Sequence, residues 1–232
     1  MNQEQNNQKF STPAAIVLGA VIIALAVIWA LHPSSPSAAN QPTPSVNINN
    51  VKVAGEPFVG NANAPITIAY FFDYQCPFCK QDEETVIPQL MTDYVNTGKV
   101  KIVFKDFPFL GPDSLTLSTA ARAVWDVEPD KFYEWHKAVY DAQGEEGSGW
   151  ATQTEIMKIT TDVLGATDAA QVANLMTVNA AKYAAEIAAD KTEGDSLGVQ
   201  GTPAMIIGTQ LLVGAEPYSA IQSAIAAAAK SQ

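Results

Sequence analysis

Cys76 and Cys79 are the only cysteines in the 232 residues of this chain, and Pro77 and Phe78 separate them. Two thiols at this spacing can exchange a disulfide with another protein, form an idle disulfide, or supply half of a zinc site. Exchange requires a thiolate, so a working site must lower the pKa of one thiol from its usual value of about 8.5. The spacing alone does not choose among these chemistries, and the surrounding sequence must decide.

A zinc site would be short of ligands in this sequence. Structural zinc is bound by four ligands drawn from Cys, His and carboxylates, yet the chain has no second cysteine pair and two histidines. His32 lies in a segment rich in Pro and Ser, and His136 lies on the apolar face of a predicted helix. We therefore expect no metal at the cysteine pair.

The predicted elements on either side of the pair favour redox chemistry. Residues 66–72 are β-branched and aromatic, which predicts a buried strand. A helix is predicted after it, with Pro77 at its first position and acidic residues in its first turns. Unpaired amides and the positive dipole end at a helix N-terminus stabilise a thiolate. Cys76 is therefore the predicted nucleophile with an exposed sulfur, and Cys79 is the predicted buried resolving partner.

The rest of the pattern predicts an α/β fold with an all-helical insertion. The helix after the cysteines is interrupted at Pro88 and leads to a strand at residues 100–104, which completes a right-handed βαβ unit. Residues 114–195 show only helical periodicity. A β-hairpin at residues 204–213 and a helix ending near Lys230 form a closing ββα unit.

The N-terminal part of the chain predicts a tail at residues 1–10, a membrane segment and a linker. Residues 11–31 are the predicted transmembrane helix, because eighteen of them in succession are uncharged and largely apolar, which is long enough to cross a bilayer. Cleavage as a signal peptide after the small residues at 37–39 is the alternative. Residues 32–50 contain four prolines and no charged residue, which predicts an extended linker.

The charge balance of the chain disfavours nucleic acid as a partner. Thirteen basic and 24 acidic residues give a net charge of −11, which repels phosphate backbones. Lys9 precedes the apolar segment and the next basic residue after it is Lys52, a weak bias that places the C-terminal part outside the cell. Envelope compartments are oxidising. We expect a single-pass membrane protein whose domain, residues 51–232, faces the periplasm or the cell exterior.

The cysteine segment and a late Gly-Thr-Pro segment together resemble the DsbA-like thiol:disulfide oxidoreductases of the thioredoxin superfamily. The matching stretches, spread over residues 57–230, are 63–68 (NAPITI), 71–80 (FFDYQCPFCK), 106–108 (DFP), 111–114 (GPDS) and 198–203 (GVQGTP). The resemblance implies a thioredoxin-like fold and disulfide exchange by Cys76 and Cys79, with no cofactor beyond their own redox-active disulfide. It also implies a substrate-binding role for Thr202 and a cis peptide bond before Pro203; from the residues alone, an ordinary proline at the start of a strand is the alternative.

The resemblance also implies partners. For an oxidase, the substrates are unfolded or folding envelope proteins with cysteines, and a quinone-linked membrane redox partner reoxidises the pair. A disulfide reductase or isomerase with the same site is one alternative, and a non-catalytic thioredoxin-like binding module is another. Isomerases of this kind often dimerise, and no dimerisation segment is evident before the βαβ unit, so we expect a monomer.

Two positions depart from many relatives of this kind. Phe78 carries no cation to favour a thiolate, which predicts a weaker oxidant than a relative with histidine at this position. Many relatives have a buried acidic residue six positions before the first cysteine, whereas this chain has Tyr70. We interpret Tyr70 as a core residue whose hydroxyl is bonded locally. Its hydroxyl is a poor base, which leaves water as the expected acceptor of the Cys79 proton. Tyr70→Glu is therefore expected to accelerate the release of a mixed disulfide by Cys79.

Overall fold

The computed structural model describes residues 46–231. The predicted tail, the predicted transmembrane helix and most of the predicted linker lie outside the described residues. Within residues 46–231, no helix combines the length and the apolar character needed to cross a membrane.

A five-stranded mixed sheet forms the centre of the domain. Its strands are β1 (Phe58–Gly60), β2 (Ile66–Phe72), β3 (Val100–Asp106), β4 (Ala204–Ile207) and β5 (Gln210–Val213), in the spatial order β1-β3-β2-β4-β5. β2 and β3 pair in parallel, with Ile66 opposite Val100 and Phe72 opposite Asp106, and the other three pairings are antiparallel. The central position of β2 explains its continuous run of β-branched and aromatic residues, since both of its faces are covered.

Alternate residues of β2 pack into two different cores. Ile68, Tyr70 and Phe72 belong to a large apolar cluster on one face of the sheet, and Ala69 and Phe71 belong to a smaller one on the other face. This division follows from the two-residue period of a strand. The cysteines, which follow β2, belong to the large cluster.

The predicted helix after the cysteines is broken into short pieces. It consists of α1 (Pro77–Thr85), α2 (Ile87–Leu90) and a π-helical turn at Met91–Val95. The break falls at Val86, two residues before Pro88, because a proline cannot donate the backbone hydrogen bond that a continuous helix needs.

Five helices form the insertion between β3 and β4. They are α3 (Pro112–Val127), α4 (Phe132–Asp141), α5 (Gln153–Leu164), α6 (Ala166–Val178) and α7 (Ala180–Ser196), and α8 (Tyr218–Lys230) follows the hairpin. Short 3-10 turns lie at Ile48–Asn50 and Pro129–Lys131. The helical insertion thus spans residues 112–196, two residues earlier and one later than the predicted range.

Two features of the fold differ from the sequence analysis. β1, an edge strand of three residues, is absent from the prediction because it is too short to show a periodic pattern. The last residues of the predicted linker are part of the domain. Val46 is buried, and the backbone amide of Ile48 donates a hydrogen bond of 2.7 Å to the carbonyl oxygen of Gly208.

A buried ion cluster ties the sheet to the helical insertion. Arg122, the single arginine of the chain, is on α3 and binds Asp106 at 2.7 Å, Glu56 at 2.6 Å and also Asp190. Lys105 of β3 binds Asp190 at 2.5 Å and Glu56 at 3.4 Å. Burial, together with the neighbouring Asp106, outweighs the two cations and raises the pKa of Asp190 to about 6. These contacts fix the carboxyl end of β3 against α3 and α7.

Candidate active site

The cysteines lie at the carboxyl end of β2 and the start of α1. Cys76 is the N-cap residue of α1, Pro77 is its first residue, and Cys79 lies within its first turn. Both cysteines are free thiols, so the structure represents the reduced pair. Cys79 is fully buried, as predicted, but Cys76 is also only 3% exposed. The expectation of an openly exposed Cys76 sulfur is therefore not met.

The loop before β4 lies directly against Cys76. The Cys76 thiol donates a hydrogen bond of 3.3 Å to the carbonyl oxygen of Thr202. The peptide bond between Thr202 and Pro203 is cis. The next residue, Ala204, pairs with Phe71 near the end of β2, and this pairing places the loop beside the cysteines. The structure thus brings together the cysteine and Gly-Thr-Pro segments, which are distant in the sequence.

The Cys76 thiol has a lowered pKa and ionises near neutral pH. A hydrogen bond from the Cys79 thiol is the largest cause that lowers the pKa of Cys76, to about 6, and it outweighs the opposing effect of burial. Thr202 and the backbone amides of Phe78 and Cys79 lower it further. The helix N-terminus predicted from the sequence therefore contributes through its amides, but the partner cysteine contributes more.

The Cys79 thiol has a raised pKa and stays protonated at neutral pH. Burial is the largest cause that raises its pKa well above 9.0, and the hydrogen bond to Cys76 and the negative charge on that sulfur raise it further. The two sulfurs therefore differ in their protonation state. At neutral pH, Cys76 is a thiolate that can attack or leave, while Cys79 is a thiol that must lose its proton before it can attack.

Asp73 connects the start of α1 to the loop after β3. Its carboxylate accepts hydrogen bonds from the backbone amides of Gln75 at 2.8 Å, Phe109 at 2.9 Å and Leu110 at 3.1 Å, and from the Ser114 hydroxyl at 2.6 Å. The sequence prediction does not include this role of Asp73. The bond to Gln75 is an Asx-turn, which an Asp at the end of a strand commonly forms. The local sequence could therefore have predicted this one hydrogen bond, but not the bonds to the loop after β3.

Gln143 connects the same backbone to the end of α4. Its side-chain amide donates to the carbonyl oxygen of Tyr74 at 2.8 Å and to that of Cys76 at 3.2 Å. It therefore helps to hold the N-cap residue in place. Its position in the sequence carries no signal of this contact, because the two segments are 67 residues apart.

The sequence predicts acidic residues in the first turns of α1. None lies in the first turn itself, and two of those that follow it are buried. Asp82 is 2% exposed and Glu83 is 1% exposed. Glu83 lies 3.2 Å from His136 Nε2, whose other ring nitrogen lies 2.9 Å from the Tyr74 hydroxyl. Burial is the largest cause that raises the pKa of Asp82 to about 7, followed by the charges of Glu83, Cys76 and Glu216.

Tyr70 lies in the core beneath the cysteines. Its side chain is fully buried, but its hydroxyl has no hydrogen-bond partner among the described residues. The expected local hydrogen bond is therefore wrong. Burial and then the neighbouring Cys79 raise the pKa of Tyr70 well above 10.0. The phenol cannot serve as a base at neutral pH.

Exposed apolar side chains lie on the segments next to the cysteine pair. Phe78, between the two cysteines, is 59% exposed, and Phe109, in the loop that Asp73 holds, is 49% exposed. Leu115 near the start of α3 is 52% exposed. Exposed apolar side chains of this kind are available for contact with another molecule. Within residues 46–231, no group of three or more His, Cys, Asp or Glu side chains is arranged to hold a metal ion.

Comparison with known proteins gives consistent matches over most of the chain. A family model described as "Thioredoxin" matches residues 52–227. Disulfide bond formation protein D of Bacillus subtilis is 26% identical over 178 residues, which cover 75% of this chain and 77% of that protein.

Two solved structures have similar folds and detectable sequence identity. The thiol-disulfide exchange protein alpha-DsbA2 of Wolbachia pipientis is 29% identical, with a TM-score of 0.67, and the alignment covers 77% of this chain and 90% of that one. A thioredoxin-like oxidoreductase of Silicibacter pomeroyi is 27% identical, with a TM-score of 0.63, and the alignment covers 83% of this chain and 99% of that one.

Proposed function

This chain belongs to the thioredoxin family, and from that premise we propose that it is a thiol:disulfide oxidoreductase that forms disulfide bonds in other proteins. The observation that carries the proposal is the position of Cys76 at the N-cap of α1, against the carbonyl oxygen of Thr202 and three residues before the fully buried Cys79. This arrangement lowers the pKa of Cys76 to about 6 and raises that of Cys79. The names of its relatives, a disulfide bond formation protein and a thiol-disulfide exchange protein, support the same activity.

In the forward reaction, the protein begins with a disulfide between Cys76 and Cys79. A substrate thiolate attacks Cys76 Sγ, the bond between the two cysteines breaks, and Cys79 departs with the electron pair and takes up a proton. A second substrate thiolate then attacks the substrate sulfur of the mixed disulfide. Cys76 leaves as a thiolate. The substrate gains one disulfide, and the pair gains two electrons.

The acidity of Cys76 favours this direction. A thiolate that is stable at neutral pH is a good leaving group, and it stabilises the reduced pair relative to the disulfide. We assign Cys76 as the nucleophile and leaving group and Cys79 as the resolving cysteine, without a separate cofactor. Pro77 starts the helix whose amides face the sulfur, and Phe78 contributes an exposed apolar surface.

The Thr202–Pro203 loop is our candidate for substrate binding. Its contact with the Cys76 sulfur places backbone groups beside the reacting atom, where an extended substrate segment can pair with them. Because Cys76 is nearly buried in the free protein, an arriving substrate must replace part of this contact.

The location of the enzyme is a separate part of the proposal. The apolar run within residues 11–31 supports a single membrane anchor with the domain on the periplasmic or outer side. Cysteine-containing envelope proteins are then the substrates, a membrane redox partner removes the electrons, and the protein acts as a monomer.

The activity is tested by mixing the oxidised protein with a reduced peptide that contains two cysteines. We expect one intramolecular peptide disulfide for each pair reduced, and no product with Cys76→Ser. In a second assay, reduced Cys79→Ser is mixed with a peptide disulfide; Cys76 should attack it, release one peptide thiol and stop at the mixed disulfide, because Cys79 is no longer present to release it. Peptide oxidation that persists in Cys76→Ser would overturn the assignment. Reduction or isomerisation of peptide disulfides without net oxidation would instead favour a reductase or isomerase.

A further inference from the structure

Asp82 is a buried acid without a hydrogen-bond partner for one of its oxygens. It lies on α1, and it is 2% exposed. Within the described part of the chain, its Oδ1 atom accepts no hydrogen bond. Leaving a buried carboxylate oxygen unpaired costs free energy, so such a group calls for an explanation.

Asp82 shares the buried face of α1 with Cys79. The residues of this helix that are buried are Cys79, Asp82 and Glu83. Side chains three positions apart on a helix are neighbours, with about 5–6 Å between their Cβ atoms. Asp82 therefore lies one helical turn from the fully buried Cys79, and its charge and that of Cys79 both act on the buried Tyr70 hydroxyl.

The exchange reaction creates a need for a proton at Cys79. When a substrate thiolate opens the disulfide, Cys79 is the leaving group, and burial raises its pKa so far that it must end as a thiol. A fully buried sulfur cannot take this proton directly from bulk water. In the reverse step the same proton must be removed before Cys79 can attack.

We propose that Asp82 donates this proton to Cys79 when the disulfide opens and accepts it again when Cys79 attacks. In the opening step, the S–S bond between the cysteines and the O–H bond of Asp82 break, while the S–H bond of Cys79 and the new disulfide to the substrate form. Asp82 is left as a carboxylate. This inference rests on the proposed exchange activity and assigns the proton in it.

Burial and neighbouring charges bring the pKa of Asp82 close to neutral, so that both its protonated and its ionised form are populated there. Burial is the largest cause that raises its pKa to about 7, followed by Glu83 on the same helix, Cys76 at the N-cap and Glu216 before α8. A proton donor is most effective when its pKa is close to the working pH.

Neighbouring groups are less suited to the task. Tyr70 of β2 has a pKa well above 10.0, so it does not release its proton at neutral pH. Both carboxylate oxygens of Glu83 already have partners on α4. Oε1 lies 3.2 Å from His136 Nε2, and Oε2 accepts a hydrogen bond of 3.5 Å from the Tyr133 hydroxyl. Asp82 is the carboxyl group here that keeps a free acceptor atom.

The test is the pH dependence of disulfide opening in the full chain and in Asp82→Asn. Oxidised protein is mixed with excess reduced glutathione, the reaction is stopped by acid and alkylation, and the rate constant is expressed per glutathione thiolate. For wild type, this constant should fall as the pH rises through the pKa of Asp82. The midpoint should lie somewhat below 7, because Cys76 carries no charge in the disulfide.

In Asp82→Asn, the fall with pH should disappear, and opening below the midpoint should be at least about tenfold slower than in wild type. Glu84→Gln removes an exposed carboxylate from the same helix and should retain the wild-type profile. A merely structural role for Asp82 would change the rate without removing the inflection.

Two outcomes would overturn the inference: a wild-type profile without an inflection between about pH 5 and 8, or the same rate and inflection in Asp82→Asn. The wild-type profile decides the matter even if the variant does not fold. Failure of wild type to exchange with glutathione at all would count against the proposed function instead.

Discussion

The Cys76 thiol donates a hydrogen bond to the carbonyl oxygen of Thr202, which lies 126 positions later in the chain. This contact belongs to the protonated sulfur, because a thiolate has no proton to donate. After ionisation, Cys76 can only accept hydrogen bonds. The Thr202 hydroxyl, which has no partner within residues 46–231, lowers the pKa of Cys76 and is therefore the expected donor to the ionised sulfur. We expect Thr202 to contact the two forms of Cys76 through different atoms.

Thr202→Val should raise the pKa of Cys76. The substitution keeps the shape and the backbone carbonyl of Thr202 but removes the hydroxyl that favours the thiolate. A hydrogen bond to a charged group contributes about 1.5–3 kcal/mol, so the ionisation constant should fall by about tenfold or more. The thiolate absorbance of the reduced protein, followed against pH, measures this. Thr209→Val, an exposed threonine, is the control; equal titration curves for Thr202→Val and wild type would contradict the prediction.

The stability of the reduced protein should depend on pH through Cys76. Its pKa is about 6 in the folded protein and 9.0 without the fold, so ionisation stabilises the folded state. This contribution is complete above pH 9.0, decreases as the pH falls, and is lost below about 6. Urea unfolding of reduced wild type and Cys76→Ser at several pH values tests this. Their stability difference should shift in favour of wild type by about 1 kcal/mol between pH 6 and 7; a constant difference would refute the prediction.

Phe78→His should make the protein a stronger oxidant. Phe78 is exposed between the cysteines, so histidine fits there without repacking, and its imidazolium would stabilise the Cys76 thiolate in the reduced form. Equilibration with glutathione mixtures gives the equilibrium constant, and we expect a shift toward the reduced protein of about tenfold. Phe78→Asn controls for loss of the aromatic ring. A variant no more oxidising than wild type would show that the cation does not reach the sulfur.

Much of the fold could be predicted because it depends on neighbours in the chain. The apolar run at 66–72 predicts β2, Pro77 predicts the start of α1, and the Gly208-Thr209 turn predicts the hairpin. The Cys-x-x-Cys spacing and the Gly-Thr-Pro segment likewise predict the two segments that meet in the candidate active site. Their proximity, through the pairing of β2 with β4, confirms the order of elements inferred from the sequence.

The rest of the site depends on contacts between distant segments. Gln143 reaches the backbone of Cys76 from the end of α4, and no local pattern indicates this. The burial of Asp82 is a partial exception. An acidic run after a helix start is usually solvated, yet Asp82 lies one turn from Cys79, which the sequence predicts to be buried. Helical spacing alone could therefore have indicated a buried carboxyl group one turn after Cys79.

Arg122→Met should destabilise the protein strongly. Arg122 binds three buried carboxylates, those of Glu56, Asp106 and Asp190, and its removal leaves their charges with Lys105 as the remaining buried cation of the cluster. Breaking a buried ion pair by removing one partner typically costs about 3–5 kcal/mol. Urea unfolding at neutral pH measures the loss. Lys137→Met removes a cation from an exposed pair with Asp141 and should cost less than about 1 kcal/mol. Equal stability of the two variants would contradict this view of the cluster.

Asp82→Asn should stabilise the protein at high pH and much less at low pH. The pKa of Asp82 is about 7 in the folded protein against 3.8 without the fold, so its ionisation opposes folding. The cost is absent below 3.8, grows as the pH rises, and is complete above about 7. It amounts to about 2–4 kcal/mol. Asparagine has the same shape and no charge, and it therefore removes the cost.

The measurement for Asp82→Asn is the free energy of unfolding of reduced wild type and variant at about pH 4.5 and 8.5. The free energy of unfolding of Asp82→Asn should exceed that of wild type by more at the higher pH than at the lower one. Glu84→Gln, on the exposed side of α1, should show no such increase. An advantage that does not change with pH would mean that Asp82 titrates like an ordinary carboxyl group. A variant that is more stable but slower in disulfide opening would show that the carboxyl group is retained for catalysis at the expense of stability.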